Sequence, residues 1–267
     1  MASGIQYAIF TKPWKDLSID ALGQLVRDLG FDGIEFPLRD GYQVEPANAE
    51  KGLRALTEHW REAFGLRVFS IAAGTPASAT ESMFAGCAAA GIPVIRVMAP
   101  IDPGKGYRAS EAASRREIEA ALPLCERYGV QLAVQMHCDW WIANAMELYN
   151  LLEGYDHRYI TGIWDAAHSG LAGEQPESAL EVLWDRLSMV NLKNACYKLM
   201  SGPEASPAVW GAYFTTGDRG LCSWARTVAY LKKRDYAGVL CFPAEYTDEA
   251  NTVAYIARDI AYVKSLF

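Results

Sequence analysis

A repeated unit constrains what this chain can fold into: an amphipathic helix, a glycine, one or two polar residues and then a short apolar strand. The unit recurs at five joints, which are Gly30–Ile34, Gly65–Val68, Gly91–Ile95, Gly129–Ala133 and Tyr236–Leu240. A glycine just after a helix can take the left-handed conformation, which satisfies the last helical carbonyls and passes the chain on to a strand. The pattern therefore predicts helices that alternate with parallel strands.

Eight short strands are predicted, and several are almost continuously apolar, as is typical of parallel strands covered by helices. They are Ile5–Phe10, Gly33–Phe36, Val68–Ala72, Val94–Ala99, Leu132–His137, Thr161–Asp165, Met189–Lys193 and Val239–Glu245. We therefore predict an α/β fold, a (β/α)8 TIM barrel formed by one domain over residues 1–267. A doubly wound open sheet is the alternative, but no glycine-rich phosphate turn follows the first strand.

Composition excludes several functional classes. The net charge of −7 and the pI near 5.2 make nucleic acid and anionic membranes poor partners. No apolar run reaches the roughly 18 residues that a membrane span needs, and no signal peptide is recognisable. Six scattered cysteines without a CxxC pair indicate reduced thiols. We expect a soluble cytoplasmic protein, and the sequence leaves open both a monomer and a homo-oligomer.

The stretch Thr161–Gly170 is the clearest candidate for a functional site. Its apolar strand ends in Asp165, and His168 follows three residues later. Burying a carboxylate at the end of an apolar strand costs on the order of several kcal/mol unless a partner compensates it. The sequence therefore requires a metal ion, a cation or backbone donors next to Asp165.

Other polar residues follow the predicted strands at equivalent places. In a TIM barrel the C-terminal strand ends converge on one pocket. The residues at those ends are Glu35, Gln135, His137, Asp165, His168, Asn191, Lys193, Asn194 and Glu245. The strand period of two makes Gln135 and His137 point the same way, as it does Asn191 and Lys193, and we expect them to face inward. A long irregular segment, 195–221, is predicted to lie over this mouth.

These residues, in this order and spacing, resemble the xylose isomerase-like TIM-barrel superfamily, in particular its tagatose/psicose 3-epimerases, hydroxypyruvate isomerases and inosose dehydratases. The resemblance covers nearly the whole chain. It rests on Gly30–Glu35, on Gln135-Met-His137 where the family has Glu-x-His, on Asp165-Ala-Ala-His168 where it has Asp-x-x-His, on Asn191-Leu-Lys-Asn194 where it has His-x-Lys-Asp, and on Gly217–Gly220 followed by Glu245.

The resemblance implies a divalent metal, often Mn or Mg, held by Glu, Asp, His and Glu from four strands. The corresponding positions here are Gln135, Asp165, Asn191 and Glu245. Gln135 and Asn191 keep an oxygen acceptor but remove a charge or an imidazole, which weakens the charge complement for a hard cation. Two alternatives stay open at this point: a weakened metal site, or a metal-free network in which Asp165 pairs with Lys193 or His168.

Roles can be assigned to the remaining polar groups. Glu245 is the leading candidate for a general base, with a pKa that we expect partial burial to raise, although a structural partner for Arg219 is the alternative. Lys193 can stabilise an enediolate oxygen, and His168 can relay a proton. The candidates for substrate binding are Glu35, His137, Arg219, Trp14 and Trp164. Aromatic residues at such positions also commonly pack loops onto the barrel rim.

The sequence thus predicts a sugar isomerase or epimerase that acts on a small polyhydroxylated carbohydrate by proton abstraction next to a carbonyl. A dehydratase or lyase on the same scaffold is one alternative. A non-catalytic carbohydrate-binding barrel with a degraded metal site is the other. The partner in every case is a small sugar or sugar-derived molecule.

Overall fold

Eight parallel strands close into a barrel in the computed structural model, which describes residues 4–267. In chain order the strands are β1 (Gln6–Phe10), β2 (Gly33–Pro37), β3 (Arg67–Ala72), β4 (Val94–Met98), β5 (Gln131–Gln135), β6 (Ile160–Asp165), β7 (Leu187–Asn191), β8 (Asn194–Leu199), β9 (Trp210–Thr215) and β10 (Val239–Phe242). The barrel order is β1-β10-β7-β6-β5-β4-β3-β2, and β8 and β9 form a separate hairpin. The predicted TIM barrel is confirmed.

Helices cover the outside of the barrel. They are α1 (Ile19–Asp28), α2 (Ala49–Phe64), α3 (Glu81–Ala90), α4 (Tyr107–Tyr128), α5 (Ala145–Leu152), α6 (Ala166–Leu171), α7 (Pro176–Leu183), α8 (Trp224–Lys233) and α9 (Thr252–Leu266). Gly65 and Gly91 end α2 and α3 with φ of 69°, the left-handed conformation expected at these joints. Among residues 4–267, no helix combines the length and apolarity that crossing a membrane requires.

Two apolar layers hold the barrel, one inside it and one between the strands and the helices. On β6, Ile163 belongs to the inner layer and Trp164 to the outer one, as the strand period of two requires. Asp165 follows on the inner side, where the strand ends. The alternation therefore aims polar residues at the C-terminal strand ends into the barrel mouth.

Three site residues predicted to lie on strands lie just beyond them. His137, Lys193 and Glu245 each follow the last residue of their strand by two or three positions. The backbone N–H of His137 bonds the carbonyl of Ile142 instead of a neighbouring strand, and Ala244 has a left-handed φ of 54°. Because the chain turns at these points, the three side chains can close over the mouth.

The prediction that segment 195–221 is irregular is wrong for much of its length. Strands β8 and β9 pair in antiparallel register from Asn194 opposite Thr215 to Leu199 opposite Trp210. The base of the hairpin packs Ala195 and Phe214 against α6. The outer part of the hairpin is exposed, so its strands lack the apolar alternation that a buried sheet would show.

Candidate active site

The C-terminal ends of the barrel strands surround a cavity. Its lining residues are Phe10, Lys12, Glu35, Arg39, Arg96, Met98, Gln135, His137, Asn191, Pro243 and Glu245. The inward orientation predicted for Gln135, His137 and Asn191 is therefore confirmed.

Asp165 is fully buried beside this cavity and has three donors. Its Oδ1 accepts the N–H groups of Ala167 at 3.0 Å and His168 at 3.3 Å, so it caps the N-terminus of α6. Its Oδ2 accepts the amide N–H of Gln135 at 2.9 Å. Burial raises the pKa of Asp165 to about 6, and the neighbouring Lys193 opposes that rise. The compensation that the sequence required thus comes from backbone and amide donors.

Three buried polar atoms at the site lack any hydrogen-bond partner among residues 4–267. They are Oε1 of Gln135, Oδ1 of Asn191 and Nε2 of His168. A buried polar atom without a partner costs about 1–3 kcal/mol, so native proteins rarely leave several together. Gln135 and Asn191 line the cavity, so a ligand there would meet two oxygens that are free to accept hydrogen bonds.

The backbone of one residue, Cys138, fixes the tautomers of two histidines. The backbone N–H of Cys138 donates to Nδ1 of His168 at 3.1 Å, so the proton of the neutral His168 ring is on Nε2. The carbonyl of Cys138 accepts from Nδ1 of His137 at 3.0 Å, which leaves Nε2 of His137 unprotonated. Burial lowers the pKa of both rings, so both are neutral at pH 7. His137 therefore offers a base and His168 a hydrogen-bond donor.

Glu245 lies between two lysines. Lys193 donates to its Oε2 at 3.0 Å, and Lys12 pairs with its Oε1. Although burial opposes ionisation, Lys193 and Lys12 hold the pKa of Glu245 well below its usual range. The expectation of a raised pKa is wrong, because the sequence could not show that two ammonium groups converge on this carboxylate. The same contacts raise the pKa of Lys193 against its own burial.

Glu35 belongs to a buried ion pair. Arg96 donates to both of its oxygens, from Nε at 3.0 Å and from Nη2 at 3.2 Å, and Ser70 donates to Oε1 at 3.2 Å. Both charged side chains are almost fully buried. The carboxylate expected to bind substrate is thus occupied by Arg96. The sequence analysis missed Arg96, although a charge in the middle of the apolar stretch Val94–Met98 is a recognisable signal.

Four further residues do not face the cavity. Arg219 is exposed beside the β8–β9 hairpin, and Trp14 packs against the outer apolar layer. Trp164 is fully buried between the barrel and the helices. Asn194 donates to the carbonyls of Gly217 and Cys222, which ties the chain after β9 to the barrel. Arg219, Trp14 and Trp164, which were predicted to bind substrate, are therefore not part of the cavity lining.

The residues at the metal positions fit a tightly held divalent ion poorly. Oε1 of Gln135 and Oδ1 of Asn191 are free oxygen donors of the kind that hard cations prefer. However, both oxygens of Glu245 are already paired with ammonium groups. Of the two carboxylates at these positions, only Asp165 lacks a cationic partner within 4.0 Å, because the His168 ring beside it is neutral. Two amides and one such carboxylate compensate little of a double positive charge.

A second group of ligand atoms lies close by. Among the described residues, His137, Cys138 and His168 offer ligand atoms within 4.8 Å of one another. However, Nε2 of His168 carries a proton while Nδ1 accepts the Cys138 N–H, and burial raises the pKa of the Cys138 thiol to about 12. Metal ligation needs a free nitrogen lone pair and a thiolate, so this cluster would have to rearrange before it bound an ion.

Comparison with known proteins agrees with this geometry. The family described as xylose isomerase-like TIM barrel matches residues 24–266, which is most of the chain. The chain belongs to this family. Inosose dehydratase from Bacillus velezensis is 24% identical over 144 residues, a match that covers 52% of this chain and 48% of that protein. The chain thus matches about half the length of this relative.

Solved structures of other proteins share the fold. D-allulose 3-epimerase from Methylomonas sp., in complex with D-allulose, superposes with a TM-score of 0.74 at 15% identity over 99% of this chain and 98% of that one. A xylose isomerase-like TIM barrel protein from Mycobacterium smegmatis, in complex with magnesium, has a TM-score of 0.71 at 16% identity over 99% and 97% of the two chains. At these identities the likeness shows a common fold.

Proposed function

We propose that this chain catalyses proton transfer at a carbon next to the carbonyl of a small polyhydroxylated carbohydrate, as an enzyme of the isomerase and epimerase type. The observation that carries the proposal is the pair of complementary histidine tautomers. The ring of His137 lines the cavity and has an unprotonated Nε2. It packs against the ring of buried His168, which has a protonated Nε2, with centroids 4.0 Å apart. Such a pair can accept one proton and donate another without any prior ionisation.

The first step is removal of a C–H proton by Nε2 of His137. The electron pair of the broken bond forms a carbon–carbon double bond, and the carbonyl oxygen gains negative charge. The ammonium of Lys193 and Nε2–H of His168 are the donors available to that oxygen, and a fixed donor in a water-poor site stabilises developing charge strongly. Lys193 stays charged because Glu245 raises its pKa.

The second step returns a proton to carbon. The imidazolium of His137 protonates the neighbouring carbon, the double bond closes onto the other oxygen, and a proton moves between the two oxygens through His168. The two steps conserve atoms and charge, and their net result is an aldose–ketose or keto-sugar isomerisation. Inversion at one carbon would require a proton donor on the opposite face, and Glu245 does not supply one at neutral pH because it is ionised.

Glu245 has a different place in this scheme from the one that the sequence suggested. Its two ammonium partners make the resting carboxylate a weak proton acceptor. We assign it to keeping Lys193 charged and in position. A role as base would require the substrate to displace Lys12 and Lys193 first.

Dehydration is the second candidate, and Nε2–H of His168 favours it. This buried donor has no acceptor among residues 4–267, and it lies beside the proposed base. It could protonate a hydroxyl that leaves from the carbon next to the one that His137 deprotonates, which eliminates water. The curated relatives named inosose dehydratase match about half of this chain.

The test is hydrogen exchange in D2O. Purified protein is incubated with a panel of hexuloses, pentuloses and inososes, and ¹H NMR follows the signal of each proton next to the carbonyl. We expect exchange with at least one compound, lost in His137→Gln and kept in His59→Gln, which removes an exposed histidine. Unchanged composition identifies an isomerase and loss of water a dehydratase. Saturable sugar binding without exchange would refute catalysis, and exchange that persists in His137→Gln but stops in Glu245→Gln would return the base to Glu245.

A further inference from the structure

Arg39 is a cation of the cavity without a carboxylate of its own. It lies in the loop after β2, half-buried, and lines the cavity. Its one side-chain hydrogen bond among residues 4–267 is a long one, 3.5 Å from Nη2 to the carbonyl of Ala73. None of the carboxylates in that range forms an ion pair with it. Since a guanidinium has five N–H donors, most of the Arg39 donors are free.

The carboxylates around Arg39 are already engaged. Arg96 binds both oxygens of Glu35, and Lys12 and Lys193 share Glu245. Four cationic side chains therefore face three carboxylates at this cavity, counting Asp165. The chain as a whole has a net charge of −7, so the cation excess is local to the mouth. A local cation excess in an acidic protein favours an anionic ligand.

Arg39 and Arg96 both lie near the ring of Phe10. Their guanidinium carbons lie 6.0 Å and 4.7 Å from the centre of the Phe10 ring. Burial and the neighbouring Arg96 both lower the pKa of Arg39. Two cations at one ring, one of them half-buried without a counter-ion, are destabilising unless an anion offsets them. Arg39 follows β2, and Asp165 ends β6. Because β2 is four strands from β6 in either direction around the barrel, an anion bound to Arg39 would lie across the mouth from Asp165.

We propose that the ligand of this cavity carries a carboxylate that Arg39 binds, so that its chemical class is a sugar acid and not a neutral sugar. The carboxylate would be held on the β2 side of the mouth, across from Asp165 and His168. A planar guanidinium matches a carboxylate with two parallel hydrogen bonds. The proposal rests on the proposed function in taking this cavity as the substrate site, and it adds the substrate class.

Titration calorimetry on three ligands that differ at carbon 1 tests the proposal: 2-keto-D-gluconate, D-fructose and D-fructose 1-phosphate. We expect the keto acid to bind at least about tenfold more tightly than fructose, as one charge-assisted bidentate pair provides. Arg39→Gln should abolish the difference, and Arg39→Lys should keep part of it. Arg54→Gln removes the same charge from an exposed site on α2 and should leave the difference intact.

Three results would overturn the proposal: equal binding of acid and sugar, a preference for the acid that survives in Arg39→Gln, and no binding of the acid at millimolar concentration. Tighter binding of the phosphate ester than of the acid would also reject the carboxylate and assign a phosphate instead. The His137→Gln variant separates this proposal from the proposed function, because it should keep the preference for the acid. A preserved preference without hydrogen exchange in the unmodified protein would count against catalysis alone.

Discussion

The imidazole rings of His137 and His168 lie face to face, with centroids 4.0 Å apart and planes tilted by 36°. Two protonated rings at this distance would repel each other, and burial already disfavours the charged form of each. The backbone of Cys138 resolves the arrangement, because its N–H binds one ring and its carbonyl binds the other. The pair is neutral, and its two Nε2 atoms have opposite proton occupancy.

The first prediction concerns these tautomers directly. At pH 7.5, ¹⁵N chemical shifts should show His137 protonated on Nδ1 and His168 protonated on Nε2, each as one dominant form. His59 and His157, outside the cavity, serve as references, and His137→Gln and His168→Gln assign the signals. A proton on Nδ1 of His168 would show that the Cys138 N–H does not bind it and would remove the basis of the acid–base pair.

The second prediction is the pH dependence of activity. A base is active when deprotonated, and the pKa of His137 lies below its usual 6.5, while the pKa of Asp165 is about 6. Activity should therefore be constant above pH 7 and fall only at a pH below 6.5, where His137 becomes protonated. The pKa of Lys193 is raised above 10.5, so no alkaline loss is expected below about pH 10. A bell-shaped profile with an alkaline midpoint between about 7 and 9 would instead indicate a lysine that works in its neutral form.

The third prediction concerns the buried pair of Glu35 and Arg96. Glu35→Gln leaves a buried guanidinium without its counter-charge, so the free energy of unfolding should fall by about 3–5 kcal/mol. The double variant Glu35→Gln/Arg96→Met removes both charges and should recover at least half of that loss. Urea denaturation measures all three proteins. Glu58→Gln, which breaks an exposed pair with Arg54, should change stability by less than about 1 kcal/mol. A loss below about 1 kcal/mol for Glu35→Gln would mean that water reaches Arg96.

The sequence predicted the barrel because its signals are local. The helix–glycine–strand joints and the strand period together determined which residues face the mouth, and Gln135, His137 and Asn191 face it as expected. Residue identity also indicated that Asp165 needed partners.

Partners brought together from distant parts of the chain were not predictable. Lys12 is 233 residues from Glu245 in sequence, yet the two are paired, and this contact reverses the expected pKa shift of Glu245. Likewise the Cys138 peptide fixes both histidines through its backbone, which no side-chain pattern encodes. Trp164 was placed at the mouth by its proximity to Asp165, but alternation along β6 turns it outward.

The fourth prediction concerns Asp259, which connects α9 to the mouth. Its buried carboxylate accepts from Tyr246, the residue after Glu245, at 2.8 Å and from the N–H of Gly217 at 2.9 Å. Burial raises its pKa to about 6. A folded-state pKa above the unfolded value gives stability that is present at low pH and lost as pH rises through 6. Relative to Asp259→Asn, the unmodified protein should therefore lose about 1–3 kcal/mol of unfolding free energy between pH 4 and pH 7.

Asp248 provides the control for this measurement. Its pKa is lowered by hydrogen bonds from Asn251 and Tyr255, so the corresponding difference for Asp248→Asn should have the opposite sign. Asp165, whose pKa is also about 6, contributes equally to the unmodified protein and to both variants, and it cancels in each comparison. A pH-independent difference for Asp259→Asn would show that the two hydrogen bonds keep its pKa near the ordinary value.

The last prediction is that divalent metal binds weakly until the missing charges are restored. Calorimetric titration with Mn²⁺ should give no saturable binding at micromolar concentration, because Glu245 is paired with two lysines and the other two strand ends carry neutral Gln135 and Asn191. Gln135→Glu/Asn191→His supplies a carboxylate and an imidazole, and affinity should rise at least about tenfold, since each restored contact contributes on the order of 1–4 kcal/mol. Adding Lys12→Met should increase it further by freeing Oε1 of Glu245. Micromolar binding by the unmodified protein would mean that the cation displaces both lysines, and Glu245 would then be a ligand and not the counter-ion of Lys193.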